Sequence, residues 1–200
     1  MQDLFLEYQA LDAFVESLSP QDFQQITPGT DRTVFDQISH IAYFDYVSLL
    51  AVQKPDFFKP LAAEIGPLFT SQSIVTLVRD RLQISDPNIL INQWRSWYES
   101  LASELTQMPP DQRLPWFGPS MSVKSFATAR LAQTWAHGQD IYDALEQQRA
   151  ATIRLKHIAQ LGVIAFKWSF TNRGMKVPSA KASVHLESPD KTTWSWGDLQ

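Results

Sequence analysis

Ala129-Arg130-Leu131-Ala132-Gln133-Thr134-Trp135-Ala136-His137-Gly138-Gln139-Asp140 is the stretch on which the reading of the fold turns. It lies inside a predicted helix that opens near Ser122 or Ser125, either a good N-cap. The helix continues through Gln133, His137 and Ile141 to about Gln147. Side chains four residues apart stack on one helix face, so Gln133 and His137 project together.

Upstream, Leu4, Tyr8, Leu11, Val15 and Leu18 form one apolar stripe at helical spacing, stopped by Ser19-Pro20. A short helical turn precedes the breaker Thr27-Pro28-Gly29. A second helix opens at Thr33, where Asp36 three residues on completes a capping-box pattern. Its stripe is Val34, Ile38, Ile41 and Leu49, and it stops before Lys54-Pro55. Lys54 to Pro67 reads as loop with one short helix. A third helical region spans about Gln72 to Met108, interrupted near Asp86-Pro87. Leu114-Pro115-Trp116-Phe117-Gly118-Pro119 reads as a rigid aromatic connection.

Downstream, a fifth helix is expected from about Thr152 to Asn172, with Gly174 as its C′ glycine. From Ala182 to Trp196 the period changes to two: Val184 and Leu186, then Trp194 and Trp196, flank the turn Ser188-Pro189-Asp190-Lys191. That is a β-hairpin. A lone hairpin is marginal in water, so it must pack on helices, pair elsewhere or begin a larger sheet. Four or five long helices joined in this way give a mainly α fold, an up-and-down four-helix bundle. The expected division is 1–150 for the bundle and 151–200 for the last helix with its hairpin.

The 200 residues suit one domain with a small appendage, and 44% hydrophobic against 19% charged residues is a globular composition. A net charge of −4 and a pI near 5.5 argue against a nucleic-acid partner. Without cysteine, disulfides, thiolate metal sites and a Cys nucleophile are excluded. The N-terminus lacks the apolar run of a secretory signal, and no segment approaches the ~20 residues of a membrane span. A cytoplasmic chain without membrane partner is the expectation.

Among four histidines, His40 and His137 lie mid-helix on different helices. His40 shares a face with Asp36, Tyr43, Phe44 and Val47; His137 shares one with Gln133, Asp140, Ile141 and Ala144. One helix supplying an i, i+4 pair and another a single His is a common way for a bundle to build a three-ligand metal site. By pattern alone a buried His is more often a satisfied core residue. His157 reads as a surface residue of its helix, and His185 takes no role. Trp94, Trp97 and Trp135 read as core. Trp116 and Phe117, on their Pro-fixed loop, read as a substrate wall, with Phe44 beside them.

The Ala129–Asp140 string resembles the signature helix of the mycothiol-dependent maleylpyruvate isomerase family, within the wider DinB-like four-helix metalloproteins. Asp36-Gln37-Ile38-Ser39-His40-Ile41-Ala42-Tyr43-Phe44-Asp45 resembles that family's second helix, which carries its first metal ligand. Pro115-Trp116-Phe117-Gly118 and Arg154–Gly162 resemble a branch known only as metal-binding. The resemblance implies a DinB-like bundle, a divalent metal, zinc above others, on His40, position 133 and His137, and a low-molecular-weight thiol as co-substrate. It also implies a small α/β C-terminal domain, of which residues 151–200 would be a shortened form.

Position 133 departs from the family, which carries Glu there, or His in distant relatives. Neutral Gln133 offers a carbonyl dipole instead of a charge and should weaken metal binding. Asp36, Asp45 or Asp140 are the carboxylates that could compensate. Asp140 is also a candidate to orient a histidine ring or contact substrate, or else to pair with Arg130 or Lys124. Three functions follow. The first is a metalloenzyme acting on a small metabolite by isomerase or thiol-transferase chemistry. The second is a metal-free isomerase, cyclase or lyase using His40 and His137 as acid and base. The third is a non-catalytic small-ligand receptor. The exposed hairpin edge allows a homodimer.

Overall fold

The computed structural model describes residues 1–29, 31–68 and 73–197. The chain divides into two compact units, Met1–Arg149 and Ala150–Gln200. The expected helix start at Gln72 lies outside the described residues.

The first unit is built on four long helices: α1 (Gln2–Glu16), α2 (Val34–Gln53), α5 (Pro87–Gln107) and α6 (Val123–Ala144). Two shorter ones, α3 (Pro55–Ile65) and α4 (Ser73–Leu82), pack on α2. α2 lies against α5 and α6, and α1 closes the ring against the same two. Of the stripe read from sequence, Leu18 lies past the end of α1 and is half-buried, while Leu4, Tyr8, Leu11 and Val15 are each at most 2% exposed. They meet Ile38, Ile41 and Val47 of α2, Leu90, Trp94 and Leu101 of α5, and Phe126 and Leu131 of α6 in one core. Each fully buried side chain of this size contributes roughly 1.5–3 kcal/mol.

The helix starts follow local chemistry. Thr33 Oγ1 accepts the Asp36 amide at 3.1 Å while the Asp36 carboxylate accepts the Thr33 amide at 3.0 Å, a complete capping box. Asp86 caps α5, and Ser122 caps α6 by accepting the Ser125 amide at 3.1 Å.

Two segments differ from expectation. Lys54–Pro67 is mostly helical, because Pro55 occupies the first turn of α3, where a missing N–H costs nothing. The loop Leu114–Pro119 is spanned by a two-residue antiparallel pair, β1 (Arg113–Leu114) with β2 (Met121–Ser122). Of the tryptophans expected in the core, Trp94 is fully buried, while Trp97 and Trp135 keep part of their surface exposed.

A buried polar cluster ties the four helices together. Asp45 of α2 is fully buried and accepts Tyr8 Oη (α1) at 2.5 Å, Trp94 Nε1 (α5) at 2.9 Å and Arg130 Nε (α6) at 3.0 Å. Asp12 adds a second tie, accepting a forked pair from Arg95 at 2.7 and 2.8 Å and Tyr98 Oη at 2.6 Å.

In the second unit, α7 (Leu155–Asn172) ends before Gly174, whose φ of +64° suits a residue without Cβ. β3 (Val184–Glu187) pairs antiparallel with β4 (Thr193–Trp196) in the expected hairpin. The hairpin packs on α7: Trp196 Nε1 donates to Gln160 at 2.5 Å and the Lys156 ammonium lies over the Trp194 ring. α7 leaves Ile164 and Trp168 exposed.

Candidate functional site

His40 comes from the middle of α2 and His137 from the middle of α6, and the packing of these helices brings their ring centroids to 4.5 Å. The Phe44 ring lies 4.6 Å from His40, one turn along α2. Phe117 reaches Phe44 from the β1–β2 connection, with centroids 6.0 Å apart. Trp116, half-buried, stacks on buried Phe58 at 5.8 Å and lies edge-on to buried Phe126 at 4.9 Å. Phe44 and Phe117 therefore form the aromatic edge of the histidine pair, and Trp116 backs it.

Both imidazoles are pushed toward the neutral form. Burial holds His40 well below its usual value, and neighbouring His137, Arg32 and Arg130 act in the same direction. Burial, then Arg32 and Arg130, bring His137 down to about 4. Neutral rings present a nitrogen lone pair at pH 7. His40 Nδ1 is buried and has no hydrogen-bond partner among the described residues.

His137 Nδ1 lies 2.8 Å from Gln37 Oε1. Gln37, fully buried on α2, donates through Nε2 to Thr27 Oγ1 at 2.9 Å and to Asp140 Oδ2 at 3.2 Å. Thr27 in turn donates to the Arg32 carbonyl at 3.0 Å. Sequence reading missed Gln37 and Thr27. The available signal was the placement of Gln37 one turn before His40, but nothing in a linear sequence joins it to His137, a hundred residues on.

Of the three carboxylates that could replace a charged third ligand, Asp36 and Asp45 are engaged elsewhere, and Asp140 is held by Gln37. Asp36 accepts Arg79 Nε and Nη2 at 2.8 and 2.7 Å. Asp45 belongs to the four-helix tie, so Arg130 pairs with Asp45 and not with Asp140. Asp140 meets His137 only through Gln37, and burial with nearby Asp143 raises its pKa. Gln133 is exposed on α6. Among the described residues no three His, Asp or Glu side chains gather closely enough to hold a metal ion. The donor set present is two neutral imidazoles with the Gln133 amide one turn before His137. That set suits a divalent transition cation by donor type but brings it no negative charge.

A surface groove of about 540 Å³ lies elsewhere, between Tyr43, Tyr46, Phe57 and Trp97; neither histidine is among its described lining residues. No described helix is long and apolar enough to cross a membrane.

Residues 4–142 match the family model of the mycothiol maleylpyruvate isomerase N-terminal domain. An uncharacterized protein of Mycobacterium tuberculosis, found in strains CDC 1551 / Oshkosh and ATCC 25618 / H37Rv, is 39% identical over 197 residues, covering 98% of this chain and 75% of the relative. Crystal structures of the mycothiol-dependent maleylpyruvate isomerase superpose with a TM-score of 0.62 at 12% identity, and a histidine-to-alanine mutant of it with 0.61 at 13%; both cover 96% of this chain and 76% of the other. The fold is thus the DinB-like bundle of that isomerase. The chain belongs to the mycothiol maleylpyruvate isomerase N-terminal domain family.

Proposed function

We propose that this protein is an enzyme acting on a small metabolite, with His40 and His137 as its reactive pair and a weakly held divalent cation, zinc by donor chemistry, between them. The observation that carries this reading is the pair itself: two imidazoles from separate helices, 4.5 Å apart, both kept neutral. Neutral imidazole is the form a metal takes, and a cation would satisfy the partnerless Nδ1 of His40. Gln133 would complete the set as an amide. Such an ion supplies Lewis-acid polarisation of a carbonyl or a thiol.

The chain's own groups define the rest of the site. The charge of Arg32 acts on both imidazoles and on Asp140, in each case favouring the deprotonated form. Phe44 and Phe117 offer an apolar edge for a carbon skeleton. Isomerisation or thiol-dependent transfer is the matching chemistry, and the name of the structural relatives makes mycothiol the first thiol to assay.

The neutral amide at position 133 favours a second reading, in which the pair works without metal. His137 would then serve as a general base toward substrate. A conjugate acid with a pKa of about 4 makes it a weak base at neutral pH, so the cation reading is preferred.

Titration of chelator-treated protein with zinc, followed by calorimetry, separates the two. The expected result is one site per chain, lost in His40→Ala and in His137→Ala. Absence of uptake in the wild type ends the metal reading; uptake that survives both substitutions moves the site elsewhere.

A further inference from the structure

The hydrogen bonds around Gln37 determine which nitrogen of His137 carries the proton. A glutamine amide can face either way, and its neighbours decide. The Nε2 of Gln37 has Thr27 Oγ1 at 2.9 Å and Asp140 Oδ2 at 3.2 Å. The Thr27 hydroxyl donates to the Arg32 carbonyl at 3.0 Å and, in this arrangement, accepts from Gln37. The Asp140 carboxylate can only accept, so it requires the NH₂ end of the amide, and the hydroxyl accepts from the same end. The carbonyl end is left facing His137 Nδ1 at 2.8 Å, and an oxygen there requires an N–H. Turning the amide over would set its oxygen against the Asp140 carboxylate and its NH₂ group against the ring, leaving polar groups unpaired at about 1–3 kcal/mol each.

We propose that Gln37 is a positioning residue that locks His137 as the Nδ1–H tautomer, so that Nε2 presents its lone pair to whatever the site binds. Gln37 sits on α2 with His40, and Asp140 sits on α6 with His137. The same three-way contact therefore also sets how the two histidine-bearing helices meet. Thr27 and the Arg32 carbonyl fasten it to the loop that carries the Arg32 charge. The functional meaning rests on His40 and His137 being the reactive pair; the tautomer itself does not.

The test is long-range ¹H–¹⁵N NMR on metal-free, histidine-labelled protein at neutral pH, with His137 assigned by its loss in His137→Gln. The expected spectrum has a proton-bearing Nδ1 and a bare Nε2. In Gln37→Leu that preference should be lost. In the double variant Thr27→Val with Asp140→Asn neither neighbour demands the NH₂ end, the amide is free to turn, and the Nε2–H form should appear. Zinc affinity should fall roughly 10- to 100-fold in Gln37→Leu. A wild-type His137 protonated at Nε2 overturns the proposal without any variant having to fold. So does an unchanged His137 tautomer in folded Gln37→Leu. Zinc uptake without the Nδ1–H form sinks this inference and leaves the proposed function standing. The Nδ1–H form without zinc uptake supports this inference and sinks the metal reading.

Discussion

Gln133 is the residue at which the proposed cation site lacks a charge. It stands one turn from His137 and is exposed. Replacing it with a carboxylate would give a divalent cation a negative partner without disturbing the core. Gln133→Glu should therefore tighten zinc binding by roughly 10- to 100-fold, the scale of one partly screened charge pair. A competition titration against a chromophoric chelator measures this; unchanged affinity would mean that position 133 lies outside the coordination sphere. Asp45 is the contrasting case. It is fully buried and accepts hydrogen bonds from three other helices, so its removal strands the Arg130 charge. Asp45→Asn should cost about 3–5 kcal/mol in urea unfolding, the range for breaking one side of a buried pair. Both Asp45 and Arg130 lie in the segments that carry the family resemblance. Residue types alone could not sort those segments into chemistry and architecture, because an Asp that compensates a metal and an Asp that ties helices look the same in a sequence.

The local rules of the helices were largely legible. The capping box at Thr33 and Asp36 depends on residues three apart, and it forms as read. Thr33→Ala should lower stability by about 1 kcal/mol, seen as a shifted urea midpoint with unchanged slope. α3 is less legible, because Pro55 reads as the stop of α2 while proline at a first turn also starts a helix. α6 shows a long-range constraint on a local choice. A Cβ at Gly138 would lie 3.2 Å from Arg149 Nη1 and 3.3 Å from Leu11 Cδ1. That guanidinium is held by the Glu7 carboxylate and donates to the Trp135 carbonyl at 2.7 Å, so it has little room to give. Alanine favours a helix interior by about 1 kcal/mol over glycine, but crowding a packed site costs about 1–3 kcal/mol. Gly138→Ala should come out net destabilising by about 1 kcal/mol; a gain in melting temperature would show that Arg149 yields.

At the scale of the molecule, the buried histidines couple stability to pH. Each is lowered in the folded state relative to the ordinary value of 6.5. The unfolded chain therefore takes up protons first as pH falls. Stability is full above about pH 6.5 and is lost as pH drops from there toward 4, where His137 also protonates in the native state. The His137 shift corresponds to about 3 kcal/mol across that window, with His40 acting in the same sense. Urea unfolding of chelator-treated protein between pH 7 and 4 measures the slope, and His137→Gln should flatten it. An equal slope in both proteins would place the destabilising protonation elsewhere.

The sequence by itself determined the helices, their caps, the C-terminal hairpin and the two histidines worth inspecting, because periodicity, capping and turn chemistry act over a few residues. Only the tertiary structure decided that Gln37 holds His137 and Asp140 together, that Asp45 ties its own helix to three others, and that Asp36 is committed to Arg79. Those facts depend on which side chains meet across packed helices, and contacts spanning up to a hundred residues leave no mark in local spacing.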